Sequence, residues 1–148
     1  MVQGSRSWLP NPYQQCAEGV PGCIGITGCS DLDTVCRFYS EHFGAEVGPL
    51  YENQAKGFAS RFLTFESGAR LEIMKTTTLA PVAVQHGAER MGLTHIAISV
   101  GSEEAVDQLT ARLRQAGVVV VSGPRRTGDG YYESVVLDPE GNRVEIAA

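Results

Sequence analysis

Two glutamates stand in the middle of alternating, strand-like segments: Glu72 in ARLEIMK (69–75) and Glu145 in NRVEIAA (142–148). Side chains in a strand point alternately to opposite faces. Leu71 and Ile73 must therefore oppose Glu72, and Val144 and Ile146 must oppose Glu145. THIAISV (94–100) sets His95 against Ile96 and Ile98 in the same way, and CIGIT (23–27) sets Cys23 against Ile24 and Ile26. A mid-strand carboxylate is costly to bury unless it is paired or bound to a metal. Two carboxylates, an imidazole and a thiol form a donor set that suits a divalent transition metal. The competing expectation is structural: Glu72 and Glu145 pair with Arg70 and Arg143, two positions away on the same face, and His95 is a hydrogen-bonded structural residue.

An internal repeat ties these residues together. FLTFESGARLEI (62–73) aligns without a gap on VVLDPEGNRVEI (135–146), which sets Gly68 on Gly141, Arg70 on Arg143 and Glu72 on Glu145 at an offset of 73 residues. Gly44 and Gly117 share that offset, and Cys23 precedes His95 by 72. Such a repeat implies two equivalent modules. Pseudo-twofold symmetry would then gather Cys23, Glu72, His95 and Glu145 at the centre of a cup, with the apolar faces packed on helices.

The elements that must position these residues read as strand, helix, then strands, twice. Residues 1–21 form an arm, about 22–76 the first module, 77–92 a connector and about 93–148 the second module, all within one domain. The first strand is expected at 23–27. A helix capped by Ser30 or Asp31 and closed by Gly44 follows, with Leu32, Val35, Phe38, Tyr39 and Phe43 apolar. Further strands are expected near 46–51, at 59–65 and at 69–75. The second module repeats the order: a strand at 94–100, a helix from Ser102 to Gly117, a strand at 118–121, a loop SGPRRTGDG (122–130), and the strands YESVVLD and NRVEIAA.

Composition sets the limits. The chain has 148 residues, 43% hydrophobic and 20% charged, and a net charge of −5. Those values fit one globular domain with its own core. The absence of a basic cluster argues against nucleic acid and against an anionic membrane surface. No apolar run has the length of a membrane span, and residues 1–15 have no apolar core of a secretory signal, so the cytoplasm is the expected compartment. Cys16, Cys23, Cys29 and Cys36 make no C-x-x-C pair, so they are expected to be reduced, mostly as small buried apolar residues. Glycine is enriched, at 17 residues, which predicts many short elements joined by tight turns.

Four segments resemble the vicinal oxygen chelate superfamily, the glyoxalase, bleomycin-resistance and extradiol-dioxygenase group. They are SDLDTVCRFYSEHFGA, FLTFESGARLEIM, GLTHIAISV and GDGYYESVVLDPEGNRVEI, and together they extend the resemblance over about residues 22–147. The resemblance implies an α+β fold: two tandem βαβββ modules forming a half-open, cup-shaped eight-stranded barrel with helices outside. It implies a metal held by Cys23, Glu72, His95 and Glu145, although His or Gln is usual at the Cys23 position. Nickel or zinc is the expected ion, with manganese or iron also compatible. It implies glyoxalase-like lyase or isomerase chemistry on a small carbonyl or thiohemiacetal-type substrate. Glu145 or Glu72 would be the base and an enediolate would form beside the metal. A homodimer is the implied assembly.

The resemblance has gaps. Glyoxalase-I-type members place an Arg four residues after the first ligand and an Asn four after the second; here those positions are Thr27 and Thr76. Arg37 and Arg61 are the candidates to replace that basic hold on a substrate anion. Arg126, beside Arg125 in the expected loop, borders the cup mouth. A facial triad of two His and one carboxylate needs a second His near His95, whereas His42 sits at a helix end and His86 in the connector. The rival reading is a metal-free binding protein whose cup stacks a ligand on Phe62, Tyr131, Tyr132 or Trp8.

Overall fold

A computed structural model describes residues 23–80, 88, 89 and 91–148. The arm at 1–21 with Trp8 and Cys16, connector residues 81–87 with His86, and the side chains of Cys23, Ile24 and Ile26 lie outside the described residues. The first module comprises β1 (Cys23–Gly28), α1 (Leu32–Phe43), β2 (Glu46–Val47), β3 (Tyr51–Asn53), a 3-10 turn (Gln54–Lys56), β4 (Phe58–Thr64) and β5 (Arg70–Thr76). The second comprises β6 (Ile96–Ser99), α2 (Glu103–Gln115), β7 (Val120–Arg126), β8 (Tyr132–Leu137) and β9 (Arg143–Ala147).

Both helices begin and end where their sequences dictate. The Asp31 carboxylate accepts from the N–H groups of Asp33 and Thr34, and Gly44 closes α1 at φ 68°, a conformation glycine adopts without a Cβ penalty. Ser102 accepts from the Ala105 N–H, and Glu103 and Glu104 occupy the first turn of α2, where the helix dipole favours negative charge. Leu32, Val35, Cys36, Phe38 and Tyr39 form the buried stripe of α1. Val106, Leu109, Thr110 and Leu113 form that of α2.

The strands make two mixed sheets rather than a closed barrel. One has the order β1-β5-β4-β2, with β3 beside β4; the other has the order β6-β9-β8-β7. In each, the first strand of the module runs parallel to the last. Among the described residues there are nine strands, one more than expected. The segment expected as one strand at 46–51 splits because Gly48 donates the last ladder bond, to the Phe62 carbonyl, and Pro49 has none to give.

Three further expectations change in detail. The loop expected at 122–130 is strand as far as Arg126. Pro124 is tolerated there because β7 is an edge strand, and the register shifts on either side of Ser122 absorb the misfit. The strand expected at 94–100 shortens to Ile96–Ser99, which leaves His95 just ahead of it. In β1 the expected alternation slips: Cys23 lies opposite Arg70, but Gly25 lies opposite Leu71 and Ile26 opposite Glu72. The bulge sits between Cys23 and Gly25. A Cβ built on Gly25 would lie 3.5 Å from Leu71 Cδ1, so Gly25 faces the core rather than the cup.

One hydrophobic cluster joins the modules, running from Val35 and Tyr39 through Leu63 and Ile73 to Val106, Leu113, Val144 and Ile146. The turn between β8 and β9 clamps α1. Tyr39 Oη donates to Asp138 Oδ2 at 3.1 Å inside the protein, and Ser30 donates its N–H and hydroxyl to Glu140 Oε1 at 2.6 and 2.7 Å. Cys29 and Cys36 are buried free thiols, and burial above all pushes Cys29 up to about 11. Among the described residues no helix is long and apolar enough to cross a membrane.

Candidate functional site

The second sheet carries the denser half of the site. Ala97 lies opposite Glu145, so His95, two residues earlier, shares the face of Glu145. His95 Nε2 stands 3.5 Å from Glu145 Oε2, and Thr94 Oγ1 is 3.1 Å from His95 Nδ1. The Thr94 hydroxyl can donate to Nδ1 or accept from it, so either tautomer of the ring is held in place. The Glu145 side chain is 19% exposed. Burial raises its pKa first, then the charge of Glu133 and a side-chain hydrogen bond to Glu133; His95 and Arg125 pull it down.

Glu133 was not singled out by the sequence reading. It lies on the same face as Glu145, diagonal to it, because Val135 is the direct partner of Glu145. Its cross-strand partner is Arg125, whose Nη1 is 3.2 Å from Glu133 Oε1. A row of Arg125, Glu133, Glu145 and His95 thus crosses the sheet from β7 to the head of β6. The repeat held the signal: Glu133 sits 73 residues after Ser60, a charged residue in mid-strand where the first module has a hydroxyl.

The first sheet presents the lighter half. Phe62 lies opposite Glu72 and Ser60 opposite Met74, so these side chains share a face. The Arg70 guanidinium lies over the Phe62 ring at 4.1 Å. Among the described residues the half-buried Glu72 carboxylate has no hydrogen-bond or ion-pair partner. Arg143 Nη2 meets Glu89 at 3.6 Å. The expected pairing of Glu72 with Arg70 is therefore replaced by a cation–π contact.

As a metal centre, the residues fit in halves. His95 and Glu145 offer nitrogen and oxygen side by side, with Thr94 orienting the imidazole from behind, as metal-binding histidines require. Glu72 offers an unpartnered oxygen, but on the other sheet. Among the described residues, no three His, Cys, Asp or Glu side chains converge to hold an ion. Among the described residues β1 and β6 are the end strands of their sheets and flank the two halves.

The expected substrate-binding residues lie elsewhere. Arg61 is opposite Ile73, on the core side; its Nη1 donates to the Gly48 carbonyl at 3.0 Å and its Nε lies 3.9 Å from Asp33 of α1. Tyr132 and Arg126 face α2, where Tyr132 Oη donates to Asp107 at 2.8 Å and Arg126 pairs with Glu103. Arg125, one residue earlier, is the arginine on the Glu145 side. Tyr131 is exposed on the surface. An open apolar cleft of about 700 Å³ lies at the other end of the second sheet, between Phe38, Val119, Val121, Leu137 and Pro139.

Paired modules with parallel outer strands, each with a carboxylate in its last strand, define the class. Residues 26–146 match the Glyoxalase/Bleomycin resistance protein/Dioxygenase superfamily, and the chain belongs to it. Solved structures agree on the fold. A glyoxylase/bleomycin resistance protein/dioxygenase domain from Frankia sp. EAN1pec superposes with a TM-score of 0.71 at 19% identity, over 87% of this chain and 95% of that one. The V278E mutant of glyoxalase I from Zea mays gives 0.67 at 19% identity, over 84% of this chain. The present chain spans only 43% of that maize protein. Glyoxalase I of Leishmania major, described as trypanothione-dependent, gives 0.63 at 22% identity, over 85% of each chain. At such identities the likeness is one of fold. No curated protein matches the sequence.

Proposed function

We propose that the protein is a metal-dependent, glyoxalase-like lyase or isomerase acting on a small carbonyl or thiohemiacetal-type substrate. The observation that carries this reading is the contact of His95 with a half-buried Glu145 whose proton affinity is raised. Glu72, at the repeat-equivalent position, supplies the matching carboxylate. A divalent ion, nickel or zinc in first place and manganese or iron otherwise, would be held by His95, Glu145 and Glu72, with Cys23 as a further donor.

The described residues of one chain do not gather this set, so the reading includes a homodimer. The β6 side of one copy's second sheet would face the β1 side of the other's first sheet, and the partner subunit's Glu72 would complete the site. When bound, the metal supplies Lewis acidity at a substrate oxygen. Glu145 takes a proton from the carbon beside that oxygen and returns it to the neighbouring carbon. His95 fixes the orientation of the Glu145 head group, and the apolar residues around the cup limit water. Glutathione is not specified, because Thr27 and Thr76 stand where the glyoxalase-I-type hold on it would be.

Glu145→Gln is expected to abolish turnover of the methylglyoxal–glutathione adduct, or of whichever carbonyl substrate the wild type accepts. Near-normal activity in that variant would sink the assignment. The apolar cleft favours a second reading, a metal-free small-molecule binder. Elemental analysis separates the two, since the binder would carry no stoichiometric metal.

A further inference from the structure

We propose that the arm segment WLPNPY (8–13) docks in the open apolar cleft of its own chain, between Phe38, Val119, Val121, Leu137 and Pro139. The inference goes beyond the reading of His95 and Glu145 and does not depend on it.

The repeat supplies an internal control for the cleft. At the offset of 73 residues, Glu46 corresponds to Val119, Gly48 to Val121, Thr64 to Leu137 and Glu66 to Pro139. The correspondence holds in the sheets, where Val47 pairs with Leu63 and, at the same offset, Val120 with Val136. The first module meets water at this place with polar groups, and Glu46 and Glu66 are exposed. The second module has apolar side chains there, and Val119 and Val121 are 58% and 41% exposed. Apolar surface left in water favours a cover.

Reach fits the arm to that role. β1 rises about 20 Å over its six residues. Its far end is fastened beside the cleft: the Ser30 N–H donates to Glu140 Oε1 at 2.6 Å, and Asn142 Nδ2 donates to Thr27 Oγ1 at 3.4 Å. Glu140 stands between Pro139 and Gly141, which both line the cleft. Pro21-Gly22, a turn signal, comes directly before β1 and would send the arm back along it toward that end. The nine residues from Gln14 to Gly22 span at most about 30 Å, which brings Tyr13 to the cleft.

Chemistry fits it as well. The segment carries both aromatic side chains of the arm, Trp8 and Tyr13. Pro10 and Pro12 preset an extended backbone and donate no N–H, so the segment binds through side chains in an apolar groove rather than as an added strand. β7 suits such an occupant, because Pro124 and the register shifts around Ser122 interrupt its ladder. The patch is also far smaller than the roughly 20–30 residues a side of a standard protein interface, which favours a short segment over a second copy.

Trp8 is the only tryptophan in the chain, so its fluorescence in the full-length protein reads the arm alone. The wild type is expected to emit to the blue of a synthetic peptide of residues 1–20 and to be quenched severalfold less by acrylamide. Val119→Asp and Val121→Asp change exposed side chains, and circular dichroism checks that the fold is kept; each is expected to return Trp8 to the peptide values. Leu50→Asp, at an exposed apolar residue of the first module, is expected to leave Trp8 protected. Peptide-like fluorescence in the wild type would overturn the proposal. So would protection that survives both cleft variants, or that Leu50→Asp also removes. A mixture of Val121→Asp chains with Trp8→Ser chains is expected to stay peptide-like. Protection regained in that mixture would place the arm in a partner's cleft and overturn docking within one chain.

Discussion

Arg125 and Arg126 are neighbours in sequence, yet they serve opposite faces of the second sheet. Arg125 tethers Glu133 beside Glu145, while Arg126 packs on Tyr132 and pairs with Glu103 against α2. Arg126→Met should therefore leave turnover within about twofold of wild type, as expected for a surface position away from the chemistry. Arg125→Met should lower it clearly, and steady-state kinetics on both variants checks the contrast. The sequence reading placed both in the Gly-rich loop SGPRRTGDG, and in a loop two successive arginines have no defined faces. Once Pro124 is placed in an edge strand, alternation separates them. The buried thiols make a second residue-scale prediction. Cys29 titrates near about 11 because burial disfavours its thiolate, so iodoacetamide should label Cys29 and Cys36 only slowly at neutral pH until the protein is denatured.

The turn from Asp138 to Asn142 is the element on which the module arrangement depends. Asp138 accepts from Tyr39 Oη, from Asn142 Nδ2, and from the backbone N–H groups of Glu140 and Asn142. Burial nevertheless dominates and holds its carboxyl above the usual carboxylate range. The folded protein therefore keeps this proton more tightly than the unfolded chain does. Its contribution to stability is greatest below the ordinary aspartate value and declines as pH rises through the raised folded one. Denaturant unfolding across that range should reveal the decline in the wild type and its loss in Asp138→Asn. Tyr39→Phe should cost about 1–3 kcal/mol, because it removes one donor from a buried carboxylate. Ser102→Ala should cost about 1 kcal/mol through the lost α2 cap. Both helix starts, both helix ends and the two glycine turns were legible in the sequence because capping is local chemistry. The β1 bulge was not, since a one-residue slip depends on how β1 packs against β5 rather than on its own residues.

At the scale of the molecule, the 73-residue repeat disclosed two modules, which the structure bears out as two mixed sheets on a shared core, and the resemblance of four segments disclosed the superfamily, which the family match bears out. It could not disclose how the two cup faces meet. Symmetry within one chain predicted four donors at one centre, whereas the described residues leave Glu72 on one sheet and the His95–Glu145 pair on the other. A repeat records equivalence, not which copy supplies which half. Light scattering after size exclusion is expected to give twice the chain mass of 15.9 kDa, and a monomer would remove the partner's contribution to the site. The most direct test is elemental analysis of the full-length protein after reconstitution with nickel or zinc and exhaustive dialysis. The account predicts about one divalent ion per chain in the wild type, with both Glu72→Gln and Glu145→Gln failing to retain it. A wild-type protein that retains no metal, or retention that survives both substitutions, would contradict it.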